Sequence, residues 1–164
     1  MTDFGVYRDR FAESGLHVLE RAVDESRRRQ QNYLSFGHIL KALLIEEAAI
    51  FNQTLGDLHT DPPLTEEFLN MVIESSPSHK GKGIHISPHV TWLFRNAMKI
   101  ARTDKRKKIE AADLVLCFVR GLKAGGLWLG ERKEERIGSA FVPANQQHFL
   151  YVIRLQSRST SVAV

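Results

Sequence analysis

Phe11–Leu44 decides the fold of this chain, with the sequence FAESGLHVLERAVDESRRRQQNYLSFGHILKALL. Its apolar pattern returns 75 positions later in Ile86–Val119, ISPHVTWLFRNAMKIARTDKRKKIEAADLVLCFV, without a gap. Leu43, for example, aligns with Phe118. A fixed internal period is typical of a duplicated unit that needs its copy to bury its apolar face, although two unrelated helices could share a register by chance. The sequence therefore predicts an all-α fold, a duplicated helical bundle with a pseudo-twofold axis.

Each copy is predicted to begin with two long helices. In the first copy the helical period starts at about Arg10, and Ser35 is suited to cap the second helix. In the second copy Ser87 and Pro88 have the residue types that favour a helix start. The second helix carries the apolar doublets Ile39-Leu40 and Leu43-Leu44, and the face that they form should lie in the core of each copy. Leu40 and Leu43 are expected there in the first copy, and Val115 and Phe118 in the second.

Two further helices are predicted in the first copy only. One spans Ala48 to Leu55, and Asp61-Pro62-Pro63 should open the other, with Thr65 in its first turn. The segment after the second copy, Gly125 to Gly130, is too short and too rich in glycine to repeat the third helix. Residues 1–7 are predicted to be a short lead.

The chain is predicted to form one double-repeat domain over residues 1–130. The copies cover about 8–74 and 84–122, and the Ser-, Pro- and Gly-containing stretch 75–83 is the linker between them. Residues 131–164 form a C-terminal extension.

The C-terminal extension is strand-like in two places. Phe141–Val142 and Phe149 to Leu155 are separated by Pro143-Ala144-Asn145, which favours a small β-hairpin.

Composition favours a soluble globular protein. Hydrophobic residues make up 43% and charged residues 26% of 164 positions, and the formal net charge is +4. No stretch approaches the roughly 20 apolar residues of a membrane-spanning helix, and no secretion signal is evident. A single cysteine fits a reducing compartment, so the expected location is cytoplasmic.

The sequence carries no constellation for catalysis, a cofactor or a metal. It lacks the G-x-x-x-x-G-K-[ST] phosphate loop, and Cys117 lies between apolar residues, where a buried thiol is favoured over a nucleophile. His79, His85 and His89 straddle the linker, and solvated loop histidines are favoured over metal ligands. We therefore expect no enzymatic activity.

The stretches Phe11 to Ala22, Asn32-Tyr33-Leu34 and His38-Ile39-Leu40 with Leu43-Leu44 resemble the Clp N-terminal repeat domain, the double four-helix module at the front of Clp-type AAA+ unfoldases. The resemblance covers about residues 8–122. It implies an all-helical pseudo-twofold fold that binds substrates or adaptor proteins and passes them to an ATPase ring.

One family motif departs from its usual form. The usual Thr-Glu-His at the start of the second helix is Phe36-Gly37-His38 here, and Ala111-Ala112-Asp113 in the second copy. In members that bind phosphoarginine, the two glutamates hold the guanidinium, and Gly37 and Ala112 occupy those positions in this chain. An apolar peptide or adaptor contact around Phe36 and His38 is therefore expected instead.

Three residues are predicted to contact a partner: Phe36, His38 and Trp128. Trp128 lies in a glycine-rich segment, where a contact surface and a core anchor are equally suitable roles for tryptophan. Trp92 and Phe94, at helical spacing, are expected in the core.

The basic cluster Lys105–Lys108, with Lys99 and Arg102 before it, is interpreted as a solvated helix end. The leading functional prediction is a non-enzymatic domain that recognises substrates or adaptors for a Clp-type AAA+ unfoldase or protease. Its partners would be ATPase or protease subunits, adaptors or unfolded proteins. The alternative is a small basic helical protein that binds nucleic acid or has a regulatory role. Thr103 and Asp104, within the basic cluster, do not supply the interleaved aromatic or polar side chains that contact bases.

Overall fold

The computed structural model describes residues 4–55, 58–129 and 152–155. Within them are seven helices and five short strands. In chain order they are α1 Phe4–Arg8, α2 Glu13–Arg28, β1 Tyr33–Leu34, α3 Phe36–Glu46, α4 Ala48–Thr54, β2 Thr60–Asp61, α5 Glu66–Glu74, β3 His85–Ile86, α6 Pro88–Thr103, α7 Ala111–Lys123, β4 Leu127–Trp128 and β5 Val152–Leu155. The mostly helical fold confirms the predicted all-α class.

The helix bounds repeat with the predicted offset of 75 residues. Helices α2 and α6 coincide at both ends, and α3 and α7 coincide at their first residue. The turn after each long helix also repeats, because Gln30 and its equivalent Lys105 both have a left-handed backbone, with φ of 57° and 59°. The duplicated bundle is therefore visible in local backbone geometry as well as in the sequence.

Both copies start their second helix with the same kind of cap. Ser35 and His38 form a capping box at α3. The Ser35 side chain accepts the backbone N–H of His38, and the His38 side chain accepts the backbone N–H of Ser35. Glu110 and Asp113, at the equivalent positions, do the same at α7. This device pairs the N–H groups that a helix start leaves without partners. Ser35 was predicted as the cap, whereas the part of His38 in the box was not.

Two short parallel pairings relate the copies by pseudo-twofold symmetry. Leu34 of β1 pairs with Ile86 of β3, and Phe11 forms an isolated parallel bridge with Ile109. The offset of 75 converts Phe11 into Ile86 and Leu34 into Ile109, so each pairing maps onto the other. The two copies are thus joined by backbone hydrogen bonds as well as by side-chain packing.

The predicted core residues are confirmed. Leu40, Leu43, Val115 and Phe118 are each at most 1% exposed. They belong to one continuous core that spans both copies. Burial of such aliphatic and aromatic side chains supplies most of the driving force for a fold of this size.

An ion-pair network fixes the first copy at the junction of α2, α3 and α5. Glu25 Oε1 accepts hydrogen bonds from Lys41 Nζ and from Arg29 Nε, each at 2.7 Å. Arg29 also reaches Asn70 of α5. Burial alone would raise the pKa of Glu25, but the bonds from Lys41 and Arg29 lower the pKa to about 2. The second copy has Ile100 and Leu116 at the positions of Glu25 and Lys41.

The structure corrects two predictions, that of a short lead at residues 1–7 and that of the start of α5. Residues 4–8 form α1 rather than a lead, and buried Tyr7 anchors it on Phe94 with ring centroids 5.3 Å apart. A single buried residue in a five-residue helix cannot produce a helical period in the sequence. Helix α5 begins at Glu66 with Thr65 as its cap, because the Thr65 hydroxyl accepts the Phe68 N–H. Asp61 belongs to β2 instead.

The C-terminal strand prediction is met in part. Val152–Leu155 forms β5, which lies between β2 and β4 in a three-stranded antiparallel sheet. The predicted hairpin partner Phe141–Val142 lies outside the described residues. The limits of the copies, the linker and the extension stay predictions.

Among the described residues, no helix combines the length and apolar character needed to cross a membrane.

Candidate partner-binding site

The three predicted contact residues lie in two elements. Phe36 and His38 lie together in the first turn of α3, and they are 2% and 0% exposed. Trp128 lies in β4, whose backbone pairs with Val152 of β5. Phe36 and His38 offer almost no surface, and partner contact through them stays a prediction.

His38 is held in a buried network of neutral groups. Its Nδ1 accepts the backbone N–H of Ser35 at 3.1 Å, which leaves Nε2–H to donate to Gln31 Oε1 at 3.0 Å. The Ser76 hydroxyl, from the predicted linker, donates to the Ser35 hydroxyl. Burial lowers the pKa of His38 to about 3, so the ring stays neutral at neutral pH. The role of His38 is therefore to cap α3 and to tie it to the neighbouring segments.

Gly37, which stands where phosphoarginine-binding members have a glutamate, is closely packed against α5. A Cβ atom at this position would lie 3.2 Å from side-chain carbons of both Val72 and Ile73 of α5. Any side chain there, an acidic one included, would require Val72 and Ile73 to shift by a few tenths of an ångström. The space beside the motif in the first copy is thus filled by the protein itself.

The second copy already holds a guanidinium of its own. Asp113 binds Arg106 through two hydrogen bonds of 2.7 Å, the bidentate geometry that suits this pair. The bonds from Asp113 and Asp104 raise the pKa of Arg106. The equivalent positions in the first copy carry Gln31 and His38, so a neutral pair and an ion pair occupy the same place in the two copies.

An aromatic cluster connects buried Phe36 to the surface. The centroid of the Phe36 ring lies 5.3 Å from that of Phe118, 5.6 Å from that of His89 and 6.4 Å from that of Trp92. Trp92 is 43% exposed, so the prediction that it belongs to the core is wrong, whereas Phe94 is buried as expected. Helical spacing alone could not distinguish the two, because Trp92 lies at the edge of the apolar stripe of α6. Exposed tryptophan on a rigid support is typical of contact surfaces.

Trp92 continues into a row of cations along α6. Arg95, Lys99 and Arg102 are exposed and follow Trp92 at intervals of three or four residues, which places all four on one side of the helix. We call Trp92, Arg95, Lys99 and Arg102 the α6 face. Sequence reasoning assigned Lys99 and Arg102 to a basic cluster but did not connect them with Trp92, although their spacing carries that signal.

The remaining candidate groups serve packing. Cys117 is 2% exposed, and burial raises the pKa of its thiol to about 12. His85 stacks between Tyr33 and His79, with centroids 5.4 Å away on either side, so these histidines are packed rather than fully solvated. In the described parts of the chain, no three His, Cys, Asp or Glu side chains are grouped in a way that could hold a metal ion.

Two chaperone proteins are similar to this chain in sequence. The chain is 24% identical over 117 residues to the chaperone protein ClpB of Chlamydia trachomatis, and 24% identical over 112 residues to that of Chlamydia pneumoniae. These matches cover 70% and 67% of this chain but 14% and 13% of the relatives, so the chain corresponds to a small part of each.

A solved structure has a similar fold. It is a complex of the ClpV N-domain with a VipB peptide, with a TM-score of 0.53 and 16% identity over 73% of each chain. The family model described as the Clp repeat (R) N-terminal domain matches residues 10–128. Since this match covers most of the sequence, the chain belongs to the Clp repeat N-terminal domain family.

Proposed function

We propose that this chain is a non-enzymatic protein-binding domain that recognises substrates or adaptors for a Clp-type AAA+ unfoldase or protease. The observation that carries the proposal is the exposure of Trp92 on a buried aromatic support, in a chain of this family. Two further facts support it: the ClpB relatives are chaperones, and the ClpV N-domain in the similar structure is bound to a peptide.

The position of the aromatic cluster suits such a role. Phe36 of α3, Trp92 of α6 and Phe118 of α7 come from both copies, so the surface above them depends on the assembled double repeat. An apolar side chain of a client could bury itself against the open part of the Trp92 ring. The limits proposed for the double repeat, residues 1–130 with copies of about 8–74 and 84–122, include all of these residues.

Fusion of the full 164-residue chain to a ClpB ATPase that lacks its own N-domain tests the proposal. We expect the fusion to process unfolded casein faster than the truncated ATPase does, and Trp92→Ala to remove most of this gain. His17→Ala is the matched control, because His17 is exposed at the equivalent position of α2. A fusion no faster than the truncated ATPase with casein would contradict the proposal.

A further inference from the structure

The two copies carry opposite charge. Residues 8–74 contain seven Lys and Arg against twelve Asp and Glu, a net charge of −5. Residues 84–122 contain eight Lys and Arg against three Asp and Glu, a net charge of +5. A field of one sign over one half of a small domain favours partners of the other sign and speeds their association.

The duplication supplies an internal comparison for the α6 face. On α2 the equivalent positions of Trp92, Arg95, Lys99 and Arg102 carry His17, Glu20, Asp24 and Arg27. Two acidic residues of the first copy are therefore replaced by cations in the second, and a histidine is replaced by tryptophan.

The charged side chains on the equivalent face of α2 are neutralised by opposite charges of the same chain. Glu20 binds Arg8 at 2.8 Å, Asp24 lies 4.0 Å from Arg27, and Arg21 pairs with Glu46. Each exposed charge of this face has an opposite charge beside it. Such a surface gains little from a charged partner.

Within the part of the chain that the structure describes, the α6 face has no such compensation. Helix α6 contains no Asp or Glu, and its Arg95, Lys99 and Arg102 make no ion pair with the described residues. At about 1.5 Å of rise per residue, the three cations extend over roughly 10 Å of helix, with Trp92 at one end. The same backbone therefore presents an uncompensated cationic row and an exposed aromatic ring in one copy only.

We propose that the α6 face docks an acidic segment of a protein partner, which places an apolar side chain against Trp92 and carboxylates against Arg95, Lys99 and Arg102. This inference rests on the proposed function and specifies the chemistry of the partner at that surface. Charge complementarity orients the segment, and burial against Trp92 supplies the apolar anchor.

A protein segment fits this surface better than a nucleic acid does. A phosphate backbone would track from the α6 face into the basic run that follows it, but that run is flanked by Asp104 and Glu110. Its Arg106 is also already bound by Asp113. The cations of α6 lie on one side of a single helix together with exposed Trp92, which matches a short acidic segment that carries an apolar side chain.

Fluorescence anisotropy with labelled peptides tests the inference on the full chain. The probe is an alanine-based helical peptide with Glu at helical spacing and one Leu, and its matched control carries Gln in place of Glu. We expect the Glu peptide to bind more tightly than the Gln peptide, and to weaken as ionic strength rises. The triple variant R95E/K99E/R102E should lose about tenfold in affinity, because exposed charge pairs contribute a few-fold each.

Three controls keep the outcome specific. The variant K105E/K107E/K108E makes the same change in net charge beside the α6 face and should retain most of the affinity, whereas Trp92→Ala should weaken both peptides. Circular dichroism melts identify any variant that fails to fold, in which case the single substitution Lys99→Glu replaces the triple variant.

Four results would overturn the inference. They are equal affinity for the Glu and Gln peptides, an equal loss in both triple variants, stronger binding of single-stranded DNA of matched charge, and self-association by sedimentation that R95E/K99E/R102E abolishes. The last would assign the α6 face to a second copy of the chain. Casein processing by the fusion, combined with indifference to the Glu peptide, would refute this inference alone and leave the proposed function standing.

Discussion

Phe118→Ala is expected to lower the free energy of unfolding by about 3–5 kcal/mol, as large-to-small changes of buried aromatic residues do. Phe118 is 1% exposed and belongs to the core shared by both copies. Its ring packs edge-on against Phe36 of α3 at 5.3 Å. Removal of the ring leaves a cavity between α3 and α7.

Denaturant melts followed by circular dichroism measure this loss. Leu116→Ala is the matched control on the same helix, because Leu116 is 39% exposed, and the expected change is within about 0.5 kcal/mol. Equal losses in the two variants would show that the buried face of α7 is placed incorrectly. Phe118→Ala would also remove the ring on which Phe36 packs, and Phe36 in turn contacts Trp92.

Gly15→Ala should destabilise the protein by about 1–3 kcal/mol, as overpacked sites do, although alanine is the better helix former. A Cβ atom on Gly15 would lie 2.5 Å from the Ile109 carbonyl oxygen and 2.9 Å from the Phe11 ring. Phe11 and Ile109 form one of the two bridges between the copies. The backbone would have to separate at that bridge, because a carbonyl group cannot rotate away as a side chain can.

Gly121→Ala is the control for this prediction. It adds the same methyl group to a helix, but the nearest atom, also at 2.5 Å, is the end of the flexible Leu127 side chain. We expect Gly121→Ala to change the free energy of unfolding little. A stabilised Gly15→Ala variant would mean that the two copies approach less closely at Phe11 and Ile109 than the structure shows.

Much of the fold could be predicted because helices leave local signals. The apolar period marked the long helices, and the capping residues Ser35 and Ser87 marked two of their starts. The two-residue strands β1 and β3 could not be predicted, because each forms only by pairing with the other copy. They are also too short to show the alternation of apolar and polar residues that marks a strand. The bond between Glu25 and Lys41 was equally invisible, because it joins side chains 16 residues apart on different helices.

The sequence predicted partner contacts at Phe36, His38 and Trp128, and these contacts stay predictions. Phe36 and His38, at the start of α3, are buried, whereas Trp92, which contacts Phe36, is exposed. Trp92 was assigned to the core because apolar residues at helical spacing usually lie inward. Which edge of an apolar stripe stays exposed depends on how α6 is rotated against α3 and α7, and that rotation is a tertiary property.

The central claim, that this chain binds proteins through the surface around Trp92, is tested most directly by photo-crosslinking. A benzophenone amino acid is placed in the ATPase fusion at position 92, and separately at the equivalent position 17 of the first copy. The fusion is then irradiated in the presence of unfolded casein. The account predicts strong crosslinks from position 92 and weak ones from position 17. Equal crosslinking at both positions, or stronger crosslinking from position 17, would contradict it.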